Sequence, residues 1–244
     1  MITSAANDAI KAAASLKDKK FRREYRQYLI EGARLLLQGK DAGVSFCTVY
    51  VTESADPRVR AAFPEAIEVS DAVMEKLSDT VTPQGAVGVA RLPGTTFAAH
   101  GGRVLVLDGV SNPDNMGAIL RSAAAFGIKH VYLADCADPF APKCVRASMG
   151  GVFALRLHEC GIPDLVTLKA NGTALFGTDM RGIDVASAVL PPDAAIVIGG
   201  EAFGMRPEVR ALCREHLSIP IRGIESLNAA VAAGIILYTV TRQV

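Results

Sequence analysis

The chain has 244 residues, half of them hydrophobic, enough for one large or two small domains with a sizeable core. Its 26 basic and 25 acidic residues leave a net charge of +1, so no global charge announces a nucleic-acid partner. Five widely spaced cysteines without a C-x-x-C, and four scattered histidines, argue against a disulfide framework and against a metal site. The amino terminus lacks a signal-peptide core, and the longest apolar stretch, Ala229 to Val240, is too short to span a bilayer. A soluble, cytoplasmic protein without membrane contact is expected.

Residues 1–16 are Ala-rich and read as a short helix or a frayed leader. Charge is unevenly placed along the chain. Residues 1–40 hold nine Lys/Arg against four acids, most densely over Lys17 to Arg26. That excess reads either as a solvated helix face or as a phosphate-facing patch, and its density favours the patch. Phe21 to Ile30 is strand-like, and Glu31 to Gln38 helical with Gly39 as its stop. Val44 to Val51 is a strand, Pro57 to Ala62 a helix, Ala66 to Val69 a strand. Asp71 to Leu77 is a helix that Ser70 could cap, and Gln84 to Arg91 a last strand. This alternation predicts a small α/β domain over residues 1–93. Residues 94–102, with Gly94, Gly101 and Gly102 and no periodicity, read as a linker.

From residue 103 to 244 strands and helices alternate again. The apolar runs RVLVL at 103–107 and IVI at 196–198 read as buried parallel strands. The fold class predicted is α/β, with a mainly parallel sheet carrying helices on both faces. The first strand leads into NPDNMGAILRSA. There Asn115 stands near a helix start, and Arg121 follows six residues on, nearly two turns later, roughly on the same side. Lys143 to Met149 (KCVRASM), before Gly150 and Gly151, can cap a helix. A strand from Ala174 ends at Thr178. Ile196 to Ile198 is followed at once by Gly199, Gly200, Glu201 and Gly204. Leu217 to Pro220 is another short strand. Ser226-Leu-Asn228 then opens the apolar helix, with Ser226 as its N-cap. Two polar loops at neighbouring strand ends make a crevice of the kind in which open α/β sheets bind ligands. The dinucleotide fingerprint, the P-loop and the G-x-S-x-G of hydrolases are all missing.

NPDNMGAILRSA, GGEAFGM and IPIRGIESLN, in this order and spacing along the chain from about Arg103 onward, resemble the three motifs of the SpoU (TrmH-like) group of SPOUT methyltransferases. RREYRQYLIEGARLLLQ and LSDTVTPQGAVGVAR, with Gln84 and Gly85 before the final strand, resemble the ribosomal-protein-like substrate-binding domain attached to many of them.

The resemblance implies transfer of a methyl group from S-adenosylmethionine to a ribose 2′-hydroxyl in RNA, a trefoil-knotted C-terminal domain and a homodimer with pockets at its interface. It makes Arg121, Asn115, Glu201, Ser226 and Asn228 the catalytic set, with Arg121 central. It puts Thr178, Gly199, Ile219 and Leu227 on the cofactor, held largely through the backbone. Arg22, Arg23, Arg26 and Arg34 become RNA contacts, with Lys143 and Arg146 on phosphate. No metal is implied. The N-terminal domain favours ribosomal RNA over transfer RNA. A transfer-RNA enzyme, or a non-catalytic RNA-binding assembly factor, remains as the alternative. Ala202-Phe203 departs from the small polar pair usual in the family, and Ile224-Glu225 stands where serines or valines are common. Both changes bear on substrate choice.

Overall fold

The structure is a computed structural model that describes residues 1–94 and 102–242; the rest of the expected linker, 95–101, lies outside the described residues. Two sheets form, each over its own core. The described residues divide into two compact units. The first joins Met1–Gly94 to Asp138–Phe153, and the second takes the described residues within 95–137 and 154–244.

In the first unit the order is α1 (Asp8–Ser15), α2 (Lys19–Tyr25), β1 (Gln27–Glu31), α3 (Ala33–Asp41), β2 (Phe46–Val51), α4 (Pro57–Ala62), β3 (Ile67–Glu68), α5 (Asp71–Leu77) and β4 (Ala86–Arg91). The sheet order is β1-β4-β2-β3, antiparallel except for β2 beside β3. Residues 21–25 are helical, not strand as their alternation predicts. Asp18 caps that helix by accepting from the Lys20 amide, and Arg26 closes it in the left-handed region at φ 55°. Local capping outweighed a weak period-2 pattern. Gly39 lies inside α3 instead of ending it.

The second unit holds β5 (Val104–Asp108), α6 (Pro113–Ala125) and β6 (His130–Ala134). After the α7–α8 segment, α7 (Pro142–Ala147) and α8 (Gly151–Ala154), come β7 (Arg156–Cys160), α9 (Ile162–Ala170), β8 (Leu175–Asp184), β9 (Ala195–Gly199), α10 (Pro207–Leu212), β10 (Glu215–Ser218) and α11 (Ala229–Thr241). Its six strands run in the order β10-β8-β9-β5-β6-β7, all parallel. Every residue of β5 is buried, as a central strand covered on both faces requires. The chain lays down β6 and β7 on one side of β5 and then returns to place β9, β8 and β10 on the other. That reversal opens a crevice beyond the carboxyl ends of β5 and β9. From the edge strand β10 the chain turns back, and α11 packs on α6 and β9.

The Asp138–Phe153 segment packs with the first unit, although it falls within the expected 103–244 domain. Arg22 and Asp138 form a salt bridge at 2.7 Å, and Tyr28 packs on Phe140 with ring centroids 5.0 Å apart. Arg146 pairs with Glu31 at 3.0 Å and with Asp79 at 2.8 Å.

Candidate active site

The site is built where β5 and β9 end. Asn112 starts α6 by accepting from the amides of Asp114 (2.8 Å) and Asn115 (3.3 Å), and Pro113 at the first turn fits a helix start. This cap aims the Asn115 side chain across the crevice. Asn115 Nδ2 donates to Glu201 Oε1 at 2.8 Å, and Asn115 Oδ1 accepts from Asn228 Nδ2 at 2.9 Å. Asn228 in turn caps α11, its Oδ1 accepting from the amides of Ala230 and Val231 at 2.9 and 3.3 Å. One hydrogen-bonded chain of three side chains thus ties together the loops after β5, β9 and β10. Partial desolvation would raise the Glu201 pKa. Bonds from Asn115 and from the backbone amides of Glu201, Ser111 and Asn112 outweigh it and hold the carboxyl below its ordinary value.

The β9 loop is drawn tight from both sides. Gly200 and Gly204 exchange backbone bonds of 3.1 and 3.0 Å, and Gly204 takes φ +68°. A Cβ at Gly199 would overlap the backbone of Gly204 and Met205. Glycine at 199 therefore serves first to let the chain close on itself, where the sequence reading gave it to a ligand. Below the turn, Asp108 is fully buried at the end of β5. It accepts from the Arg206 amide (2.7 Å) and Nε (2.7 Å), and Arg206 Nη2 pairs with it at 2.6 Å. Sequence reasoning missed this clamp. Its signal was a lone acid closing the apolar run VLVLD.

Three of the five expected catalytic residues, Asn115, Glu201 and Asn228, meet. Ser226 does not join them and does not cap α11. The helix starts two residues later because the Asn228 side chain reaches the free amides. Arg121 is exposed on α6 and, among the described residues, bonds none of the three. Six residues at about 100° each fall about 120° short of two full turns, so Arg121 faces away from Asn115 rather than along its side.

Thr178 does not end its strand, as the sequence reading has it, but lies inside β8, just past the last residue paired with β9, Gly177. Gly199 ends β9, Ile219 follows β10, and Leu227 immediately precedes the Asn228 cap. The pairing of β10 with β8 skips from Gly177 to Ile183 between His216 and Leu217, so residues 178–182 bulge out. Asp179 anchors that bulge by accepting from the Arg181 amide at 2.8 Å and pairing with Arg210. Among the described residues, no peptide group of residues 219–227 forms a hydrogen bond within the chain. Half-buried Ile219 and Leu227 beside unpaired main-chain groups suit an aromatic ring system held by backbone bonds.

Of the expected RNA contacts, Arg23, Arg26, Arg34 and Lys143 are exposed, and Arg146 is half-buried in its pairs with Glu31 and Asp79. Arg22 is only 3 % exposed. Its guanidinium is consumed by Asp138 and by the carbonyls of Leu16 and Lys17, each at 2.7 Å, so it is a structural residue and not a phosphate contact.

Residues 102–238 match the model of the SpoU rRNA Methylase family, and residues 7–88 that of the MRM3-like substrate binding domain. The chain belongs to the SpoU rRNA methylase family. It is a methyltransferase of the SPOUT fold, as its three motifs imply. The SpoU chain is 30 % identical to the 23S rRNA (guanosine(2553)-2′-O)-methyltransferase RlmP of Bacillus subtilis, over 97 % of both chains. It is also 30 % identical to an uncharacterized tRNA/rRNA methyltransferase of Synechocystis, covering 99 % of this chain and 93 % of that one. Among solved structures, the AdoMet-bound rRNA methyltransferase of Sinorhizobium meliloti superposes with a TM-score of 0.89 at 28 % identity, over 99 % of this chain and 97 % of that one. No helix of the described residues is long and apolar enough to cross a membrane.

Proposed function

We propose that this SpoU enzyme methylates a ribose 2′-hydroxyl of ribosomal RNA in the cytoplasm, with S-adenosylmethionine as donor, and that it works as a homodimer. The single observation that carries the reading is the Asn228–Asn115–Glu201 chain, which ties three loops together over the crevice where the strand order reverses. When bound, the sulfonium cofactor supplies an electrophilic methyl carbon that already carries its leaving group.

The protein's part is to hold and orient. The unpaired peptide groups at 219–227, with Ile219 and Leu227, would take the adenine side, and Thr178 and the Gly199 turn would border the pocket. Ser226 lines its rim. Asn115 fixes Glu201, whose lowered pKa makes it an anion at neutral pH and a weak base. It suits the task of anchoring a cation or ordering the loop. Arg121 is also no base, since a guanidinium stays protonated. It serves as a charge that orients phosphate and stabilises the developing negative charge. The ribose proton passes to water.

The exposed face of α11, Val231, Ile235 and Tyr238 at i, i+4 and i+7, is apolar and is read as the dimer surface, which would bring Arg121 of one copy toward the cluster of the other. The 1–93 domain, joined through the 94–102 linker, selects RNA through Arg23, Arg26 and Arg34, helped by Lys143 and Arg146. The 103–244 domain performs the chemistry.

Radiolabelled methyl transfer to protein-free ribosomal RNA and to transfer RNA, with mapping of alkali-resistant positions, tests the reading. Ribosomal RNA should be labelled at a ribose, and Arg121→Ala should lower turnover by orders of magnitude while leaving dimer mass and cofactor affinity in place. Labelling of transfer RNA alone, or of a base, would overturn it.

A further inference from the structure

Phe203 is 97 % exposed, although a phenyl ring is among the side chains most readily buried. It sits at the tip of the turn Glu201-Ala202-Phe203, and that turn is held at both ends. Gly200 and Gly204 bond each other across its neck, Met205 beneath it is packed into the core of the second unit, and Arg206 is clamped to buried Asp108. The ring is therefore carried outward on a short, braced loop, and nothing among the described residues covers it. It lies two residues from Glu201, the group that Asn115 grips. An uncovered apolar ring at the mouth of a polar site is not required by packing. It does fit one kind of ligand. Bases in single-stranded or looped RNA are recognised by stacking on aromatic side chains, and every base offers a π face.

We propose that Phe203 stacks on a base at or next to the methylated nucleotide. This holds the base out of its helix while its ribose reaches the Asn115–Glu201 pair. The inference rests on the RNA ribose methyltransferase reading and adds to it a residue that positions substrate. A second copy of the chain fits the ring less well. The apolar stripe suited to a like copy lies on α11, at Val231, Ile235 and Tyr238, whereas the turn around Phe203 presents Glu201, Ala202 and Gly204, its one large apolar neighbour in sequence, Met205, being buried.

The chain contains no tryptophan, so Phe203→Trp installs a single indole reporter. Adding protein-free ribosomal RNA should quench its fluorescence, and S-adenosylmethionine alone should not. Phe203→Ala should raise the KM for ribosomal RNA by roughly ten- to a hundred-fold, the range expected for one lost base stack. Cofactor affinity by calorimetry and the melting temperature should stay as in the wild type. Phe203→Leu, apolar but without a π face, should behave as Ala does, while Phe203→Trp should restore the low KM. An unquenched indole in an RNA complex, or an unaltered KM in Phe203→Ala, overturns the proposal while leaving the methyltransferase reading intact. So does a fall in molecular mass of Phe203→Ala by light scattering, which would give the ring to an interface between copies. A wild-type protein that methylates no RNA overturns the functional reading itself.

Discussion

The Asp108–Arg206 clamp makes an ordering of variants that can be worked from the structure. Asp108 is 0 % exposed and accepts three bonds from one residue, while the Arg206 side chain is 34 % exposed. Removing the guanidinium leaves a buried carboxylate with one amide donor and no countercharge, which costs about 3–5 kcal/mol. Removing the carboxylate leaves a guanidinium that can turn to water and one amide without its acceptor, at about 1–3 kcal/mol. Arg206→Met should therefore destabilise more than Asp108→Ala, and the double variant should be more stable than Arg206→Met alone, because the orphaned charge is gone. At about 2–4 °C per kcal/mol for a domain of this size, Arg206→Met should lower the melting transition by roughly 10 °C. Differential scanning calorimetry on the full chain measures this, reading the transition of the unit that contains β5. Because Arg206 also ends the Gly200–Gly204 turn, both single variants should weaken S-adenosylmethionine binding. Equal losses in the two single variants, or a double variant less stable than Arg206→Met, would refute the reasoning.

Glu201 keeps its low pKa through bonds that it gives up when protonated. The stability they contribute is fully present above the ordinary glutamate range and is lost as pH falls through the lower folded value. Asn115→Ala should move the Glu201 titration midpoint upward in carboxyl-detected NMR; an unmoved midpoint would break the link. Burial pushes the thiols of Cys136 and Cys213 up to about 11 and that of Cys160 up to about 12, whereas Cys47 is exposed. A thiol-disulfide reagent at neutral pH should therefore label Cys47 first and the other three only on unfolding, because the thiolate is the reacting form. Arg22→Met should destabilise the first unit by about 3–5 kcal/mol in denaturant titrations, since it strands Asp138 and two carbonyls. Arg34→Ala should change stability by less than about 0.5 kcal/mol and reduce the salt dependence of RNA binding by about one counterion.

The alternation of apolar runs determined the α/β class, and β5 and β9 were legible because a strand covered on both faces must be apolar throughout. Glu201 and Asn228 stood out as polar groups in loops at strand ends, where they have little packing use, as did Ser226, which does not join them; Asn115 was reached only through the resemblance of its motif. What periodicity could not give was pairing between residues far apart in sequence. The bond from Asn228 to Asn115 spans 113 positions and that from Asn115 to Glu201 spans 86. Only the strand order β10-β8-β9-β5-β6-β7 brings those loops to one crevice. Arg22 shows the same limit from the other side. In sequence it belongs to a basic run, and only its burial beside Asp138, 116 residues on, turns a phosphate contact into a structural tie. Likewise, the side chain missing at Gly199 looks like room for a ligand until the turn folds back and Gly204 fills the space. Composition and period report which face of an element is buried. Which polar group meets which is decided by the order in which strands add to the sheet, a long-range choice that local residues do not encode.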